Sequence, residues 1–479
     1  MSRRTGPDGA VELRQLDETL WEIPSSSWPG MRVPARLFAD AEILEAVLRD
    51  ASLEQLRNVA TLPGIVEAAL AMPDIHQGYG FPVGGVAAME LPDGVVSPGG
   101  VGYDINCGVR LLALRLSDSE LGKRREALVH EISRAVPAGA GKSSGKRPRE
   151  ELDRVLVGGS RVVAERPEDV EYTESSGCLP GADTGTVSER AHERGAGQLG
   201  TMGSGNHFVE LQRVERIFDR QTAEVFGLET GQLTVLIHSG SRGLGHQVCG
   251  DYVRKMDDAM RRYGIELPDR QLACAPASSP EGSAYLAAMA AAANFAWANR
   301  QVIADQVRRA IAHVLGSEVA DETRQVYDVA HNVAKEEMHL GRLLLVHRKG
   351  ATRAFPAGSP QIPERYRAVG QPVFIPGSMG TSSFVLAGEP SSLERSFGTT
   401  CHGAGRLMSR TGAKKQIQGS ELRRQLEARG IVVRCPSNAG LAEEAPFAYK
   451  NVERVCAVVE RAGLARRVAQ LVPLGVVKG

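Results

Sequence analysis

The sequence predicts a single α+β domain in which mixed, largely antiparallel sheets are surrounded by helices. Three observations carry that expectation. Short apolar runs rich in valine and leucine recur between turns marked by glycine and proline, the pattern of strands. Between them lie longer stretches with apolar residues three and four apart, the pattern of helices. No long polar or low-complexity segment divides the 479 residues, and no internal repeat is visible. The domain is therefore expected to span 1–479, with 1–20 as a loosely ordered tail.

In chain order, residues 41–70 read as helix, with Ile43, Val47, Leu48 and Leu53 at helical spacing. "PVGGVAAMEL" and "GVRLLALRL" read as buried strands, with turn signals at Pro92-Asp93-Gly94 and Gly99-Gly100 between them. Residues 120–135 and 151–165 read as helices around a basic loop, "GKSSGKRPREE". Further strands are expected at "HFVELQRV", "LTVLIH", "RLLLVHR" and "PVFIPG", and further helices over 283–315, 323–338 and 440–470. The alanine-rich run Ala284 to Ala298 is shorter than the roughly 20 residues of a membrane span, and it continues into a polar helical pattern. It reads as one long, partly buried helix.

Composition excludes several classes. Lysine plus arginine and aspartate plus glutamate both number 57, so the chain lacks the basic excess of a protein that coats nucleic acid, and any such contact must be local. Seven cysteines are scattered without a CxxC pair, which excludes a disulfide framework or zinc finger and points to a reducing compartment. The N-terminus has no apolar core of a signal peptide, so a soluble, cytoplasmic protein is expected. "VPAGAGKSSGK" lacks the first glycine of a Walker A loop, no strand-GxGxxG-helix unit is present, and no Lys-x-Asp-Gly occurs.

Four of the eleven histidines sit in segments rich in glycine, serine and asparagine: His207 in "GSGNHFVE", His238 in "IHSGSRGLGH", His331 in "DVAHNVAKEE" and His402 in "CHGAGR". Taken singly, a histidine beside a strand reads as a core residue. Together with Asp104 and Cys107 in "VGYDINCGVR", they offer the imidazole, thiolate and carboxylate mixture of metal sites. From spacing alone, a metal site and unrelated core histidines both stay open. "MPDIHQGYGFPVGG", "RKGATRAFPAG" and "IPGSMGTSSFVL" are small-residue stretches whose free N–H groups suit phosphate, or else ordinary turns.

These segments, with "SPGGVGYDINCGVR", "QLGTMGSGNHFVELQ", "YDVAHNVAKEE", "CHGAGRLMSR" and the terminal "PLGVVKG", resemble in order the RtcB family. These are GTP-dependent RNA-splicing ligases that join a 3′-phosphate or 2′,3′-cyclic phosphate end to a 5′-hydroxyl. The resemblance implies an RtcB-like fold with a deep metal-containing cleft. It implies two manganese ions held by Asp104, Cys107, His207, His238 and His331, with the Cys107 thiolate shared, Asp104 and His207 on one ion, and His238 and His331 on the other. His402 is implied as the nucleophile that carries GMP. A guanylate pocket is implied from Asn206, Glu210, His331, Asn332, Pro376, Gly377, Ser378, Met379, Ser383, Gly403, Ala404, Gly405 and Lys478.

Three steps follow from the resemblance: opening of a cyclic phosphate, transfer of GMP from His402 to the RNA 3′-phosphate, and attack of the 5′-hydroxyl with release of GMP. Arg348, Lys349, Arg353, Arg406 and Arg410 are the candidates for RNA-backbone contact. Archease, an activating partner in parts of the family, is a candidate partner, and tRNA splicing and RNA repair are both candidate duties. One competing reading is a dinuclear phosphodiesterase that hydrolyses cyclic phosphate ends and needs no His402; a second is an RNA-binding or accessory protein without catalysis, against which intact Asp104, Cys107 and His402 argue.

Overall fold

The computed structural model describes residues 12–139 and 141–479, and the backbone of Arg3–Arg4. The strands assemble into two large sheets. One runs in the order Arg3–Arg4, Leu13–Gln15, Leu20–Ile23, Ala35–Phe38, Ala69–His76, Val83–Glu90, Arg342–Lys349, Asn332–His339. Its pairs are antiparallel except Ala35–Phe38 with Ala69–His76. The other runs Arg324–Ala330, Gly108–Ser117, Gln232–Ser239, Phe208–Ile217, Ala465–Lys478, Ser383–Gly388, Pro372–Ile375, with Val432–Arg434 added in parallel to Ala465–Lys478. The mixed α+β class expected from the sequence is the class observed. Of the expected loose tail, residues 1–2 and 5–11 lie outside the described residues, whereas Leu13–Gln15 is a strand paired with Leu20–Ile23.

The strand runs fold as read because each carries enough valine and leucine to be covered on both faces. All eight residues of Gln232–Ser239 are buried. Each sheet has its own apolar cluster, the first around Phe38, Leu70 and Val86, the second around Leu111, Val235 and Phe374. The 36-residue helix Pro280–Leu315 is capped by Ser279, whose side chain accepts from Gly282 N–H, and Pro280 supplies the fixed first turn. It packs against helices Arg125–Ala135, Arg149–Gly158 and Arg242–Tyr263, and its alanines let the backbones approach closely. Among the described residues, no helix is long and apolar enough to cross a membrane.

One helix expectation fails and a second holds only in part. Residues 323–338 form two strands, Arg324–Ala330 and Asn332–His339, and 440–470 ends in the strand Ala465–Lys478 after the helix Val452–Arg461. Arg324–Ala330 is buried along all but its first residue, so its apolar residues do not alternate with polar ones and mimic helical spacing; in Ala465–Lys478 buried and part-buried residues mix without strict alternation.

A charged network inside this fold sets up the site. Asp328 accepts from Arg110 Nε (2.8 Å) and from Arg300 Nη2 (2.8 Å), and all three side chains are fully buried. Arg300 Nη1 also donates to the carbonyls of Asn106 (2.7 Å) and Ser239 (2.9 Å). Asn106 itself stands at φ +51° between Asp104 and Cys107, so Arg300 pins a strained loop. Replacing one member leaves uncompensated buried charge. Asp328→Leu is expected to lower stability by about 3–5 kcal/mol, read as a lower midpoint in equilibrium urea unfolding.

Candidate active site and metal centre

Strand register brings the sequence-distant candidate ligands together. In the second sheet Gly108 pairs with both Ser239 and Ala330, and His238 pairs with Phe208. Cys107 therefore enters where Gly108 begins, His331 leaves where Ala330 ends, and His207 stands one residue from the partner of His238. His331 also links the two sheets, since Arg324–Ala330 belongs to one and Asn332–His339 to the other. Its backbone N–H donates to the Cys107 carbonyl (2.7 Å), and Asn106 N–H donates to the Asn332 carbonyl (2.6 Å).

Cys107 Sγ lies 3.4 Å from His207 Nε2 and 3.2 Å from His238 Nε2. His207 Nε2 lies 2.8 Å from Asp104 Oδ2, and ligand atoms of Asp104, Cys107 and His207 all fall within 4.8 Å of one another. Sulfur and nitrogen ligands on one tetrahedral ion, with bonds of about 2.3 and 2.1 Å, stand about 3.5 Å apart, so the spacing fits a shared cation. The rings of His238 and His331 follow at a 5.6 Å centroid distance. His331 Nδ1–H donates to Thr352 Oγ1 (2.8 Å), which leaves a lone pair on Nε2, and that buried atom has no partner.

Burial and neighbouring charges set the protonation states of the cluster. Burial, then the neighbouring histidines, hold His238 and His331 well below the usual imidazole value, so both are neutral donors. Burial alone would raise the Asp104 carboxyl, but His207 beside it brings it down to about 2. Burial and then Asp104 push the Cys107 thiol well above its ordinary value, so a metal must displace its proton on binding.

His402 follows the short strand Thr399–Cys401, and its ring lies 5.3 Å from that of His331. Its Nδ1–H donates to Asp74 Oδ2 (2.5 Å), and the same oxygen accepts the backbone N–H groups of His402 (3.0 Å) and Gly403 (3.3 Å). Nδ1 is thereby occupied, and the lone pair of His402 is left on Nε2. Gly405 packs against this carboxylate's strand at φ +73°, where a Cβ would stand 2.1 Å from the Asp74 carbonyl, so only glycine fits.

These groups border one cleft of about 270 Å³. Asp104, Cys107, Asn206, His238, His331, Asn332 and His402 face it, as do Pro376 to Met379, Gly403 to Gly405, and Lys478. Three predicted residues stand just behind the wall. His207 joins through Asp104 and Cys107. Ser383 Oγ accepts from Gly377 N–H (3.2 Å) and from Gln212 Nε2 (3.0 Å). Glu210 is buried, with Oε2 bound to Gln212 Nε2 (3.2 Å) and Oε1 without a partner.

The structure corrects two of the five basic candidates. Arg348 is 1% exposed, with Nη1 and Nη2 donating to the two oxygens of Glu337 (2.7 and 2.8 Å). Arg353 is 4% exposed and donates to Gln371 Oε1 (3.0 Å). Both sit on strands covered on both faces, so their charge is spent inside the protein. Lys349 borders the cleft but is buried and donates to the carbonyls of Tyr79 and Phe81. Arg406 and Arg410 also border it, both paired with Glu444 (3.1 and 3.0 Å). Sequence reasoning missed Asp74 and Thr352, which orient the two key imidazoles. Asp74 had a signal, a carboxylate in the otherwise apolar strand Ala69–His76.

A family profile described as tRNA-splicing ligase RtcB matches residues 55–479. The chain belongs to the RtcB family. A tRNA-splicing ligase RtcB of Archaeoglobus fulgidus is 51% identical over 98% of this chain and 99% of its own length. One from Thermococcus kodakarensis is 50% identical over the same shares. An RNA-splicing ligase RtcB of Mycobacterium tuberculosis is 52% identical over 89% of this chain and its whole own length. The ordered motifs noted in the sequence all lie on this RtcB fold.

Proposed function

We propose that this chain is a cytoplasmic RNA ligase that joins 2′,3′-cyclic phosphate or 3′-phosphate ends to 5′-hydroxyl ends, using GTP, two manganese ions and GMP carried on His402. Its RtcB relatives bear the names of tRNA-splicing and RNA-splicing ligases at about half identity, which supports an RNA substrate. The observation that carries the mechanism is His402. Its Nδ1 is tied to buried Asp74, and its Nε2 stands in the cleft beside the imidazole and thiol cluster.

Held this way, Nε2 attacks the α-phosphate of GTP, a P–N bond forms, and pyrophosphate leaves. Asp74 stabilises the charge that develops on the ring. An oxygen of the RNA 3′-phosphate then takes the GMP, breaking the P–N bond and giving an RNA-ppG end. The 5′-hydroxyl attacks the RNA phosphorus of that end, GMP departs, and a phosphodiester remains. Asp104, Cys107, His207, His238 and His331 would hold the manganese ions, which offset charge on the phosphates. The donor set fits a dication pair but does not choose manganese; that choice comes with the family.

Asp74→Ala is expected to slow self-guanylylation by about 10²–10⁴-fold, mostly in kcat, measured as uptake of α-labelled GMP. The same labelling separates the ligase from a dinuclear phosphodiesterase, which would hydrolyse cyclic ends and stay unlabelled.

Glu210 gives a pH signature. Burial pushes its carboxyl up to about 8, with Gln212 and Lys478 only partly opposing. Guanine presents two N–H donors on one edge, which a carboxylate accepts better than a protonated acid. Guanine binding therefore expels the Glu210 proton, and affinity for GTP rises with pH until about 8. The limiting slope is about tenfold per pH unit, and Glu210→Gln is expected to flatten it in binding titrations.

A further inference from the structure

Three rings outside the residues used so far form a column at the rim of the cleft. Tyr103 stacks on His246, with ring centroids 4.8 Å apart and planes at 30°. Tyr79 meets Tyr103 edge-on at 5.4 Å and 64°. Tyr103 borders the cleft, while His246 is exposed.

Both ends of the stack are tied to the same carboxylate. Tyr103 precedes Asp104 in the chain. Ser241 N–H donates to Asp104 Oδ1 (3.0 Å) at the start of helix Arg242–Tyr263, and His246 stands about one turn into that helix. The column is thus held at a fixed offset from the ligand cluster. Partial burial and then Arg194 keep the His246 ring below its ordinary value, hence neutral. Arg194 is exposed and donates to Gln247 Oε1 (3.0 Å), and Arg254, paired with Asp251, is also close to the column. A stack of rings open to solvent, flanked by arginines and beside the Asp104 and Cys107 cluster, has the make-up of a single-strand nucleic-acid platform.

We propose that the Tyr79–Tyr103–His246 column is a nucleobase subsite, in which an RNA base near the join stacks on His246 and holds its strand end at Asp104 and Cys107. This rests on the RNA ligase reading above. Every base has a π face, so the subsite positions without reading sequence.

The test is steady-state sealing by the full-length protein with manganese. His246→Ala is expected to raise the KM for RNA about tenfold, and the rise falls on RNA rather than on kcat or on the KM for GTP. His246→Tyr, which restores a stacking face, recovers it. An abasic residue walked through the first few nucleotides on either side of the join should find one position where wild type suffers the same loss and His246→Ala suffers no more. An unaltered KM for RNA in His246→Ala, a rise in the KM for GTP instead, or losses that add at every abasic position would overturn the proposal. If wild type neither takes GMP label nor seals ends, the ligase reading falls instead. Quenching of 2-aminopurine in a bound 5′-hydroxyl RNA, present in wild type and absent in His246→Ala, then still decides the column.

Discussion

His402→Ala is expected to take up no label from α-labelled GTP and to join no ends, while its fold and manganese content match wild type. Among the described residues, the substitution removes the only imidazole in the cleft whose Nδ1 is locked by a buried carboxylate and whose Nε2 is free. His238 and His331 cannot substitute, because their rings are turned into the cluster around Cys107. Losing a nucleophile commonly costs about 10⁴–10⁶-fold in kcat, which places the residual rate below detection in a gel assay. The informative second readout is RNA already carrying an activated ppG end. It needs no guanylylated histidine, so His402→Ala should still seal it. Failure on that RNA would mean that His402 acts in the final step too, and full activity on unactivated RNA would remove it from the mechanism.

Cys107→Ala is expected to lose the metals. Cys107 Sγ stands between His207 on one side and His238 on the other, the position of a shared ligand. Without it, Asp104 and His207 form one half-site and His238 and His331 another, each with two protein donors, too few for tight binding of a dication. The metal-free variant should unfold close to the metal-free wild type, because the sulfur is a buried neutral thiol in that state. Added manganese separates them. At 100 times its Kd a ligand stabilises the folded wild type by about 2.7 kcal/mol, and Cys107→Ala should show none of that gain in thermal unfolding. Equal stabilisation of both proteins would deny the sulfur a place on the metals.

Much of the fold was legible because its strands carry valine and leucine in short runs bounded by glycine and proline. Val83–Glu90, Gly108–Ser117 and Gln232–Ser239 lie where those runs predicted. The helix expected over 323–338 failed for the converse reason. Val326, Tyr327 and Val329 are all buried, so Arg324–Ala330, covered on both faces, lost its alternation.

In the site, Asp104, Cys107 and the histidines were legible because reactive side chains stood among glycine, serine and asparagine. Asp74 showed only as a carboxylate in a mostly apolar strand and Thr352 not at all, since neither segment reveals that it faces an imidazole brought from more than 300 residues away in one case and 21 in the other. Arg348 and Arg353 misled for a related reason. A basic residue in a glycine-rich segment reads as solvent-facing until the sheet that covers it is known.

The most direct measurement is anomalous diffraction at the manganese edge from crystals soaked in manganese and GTP. Two peaks should flank Cys107 Sγ, one toward Asp104 and His207 and one toward His238 and His331, with density joining His402 Nε2 to GMP. A single peak, peaks away from the sulfur, or GMP attached to any other side chain would contradict the shared-thiolate centre and the nucleophile set beside it.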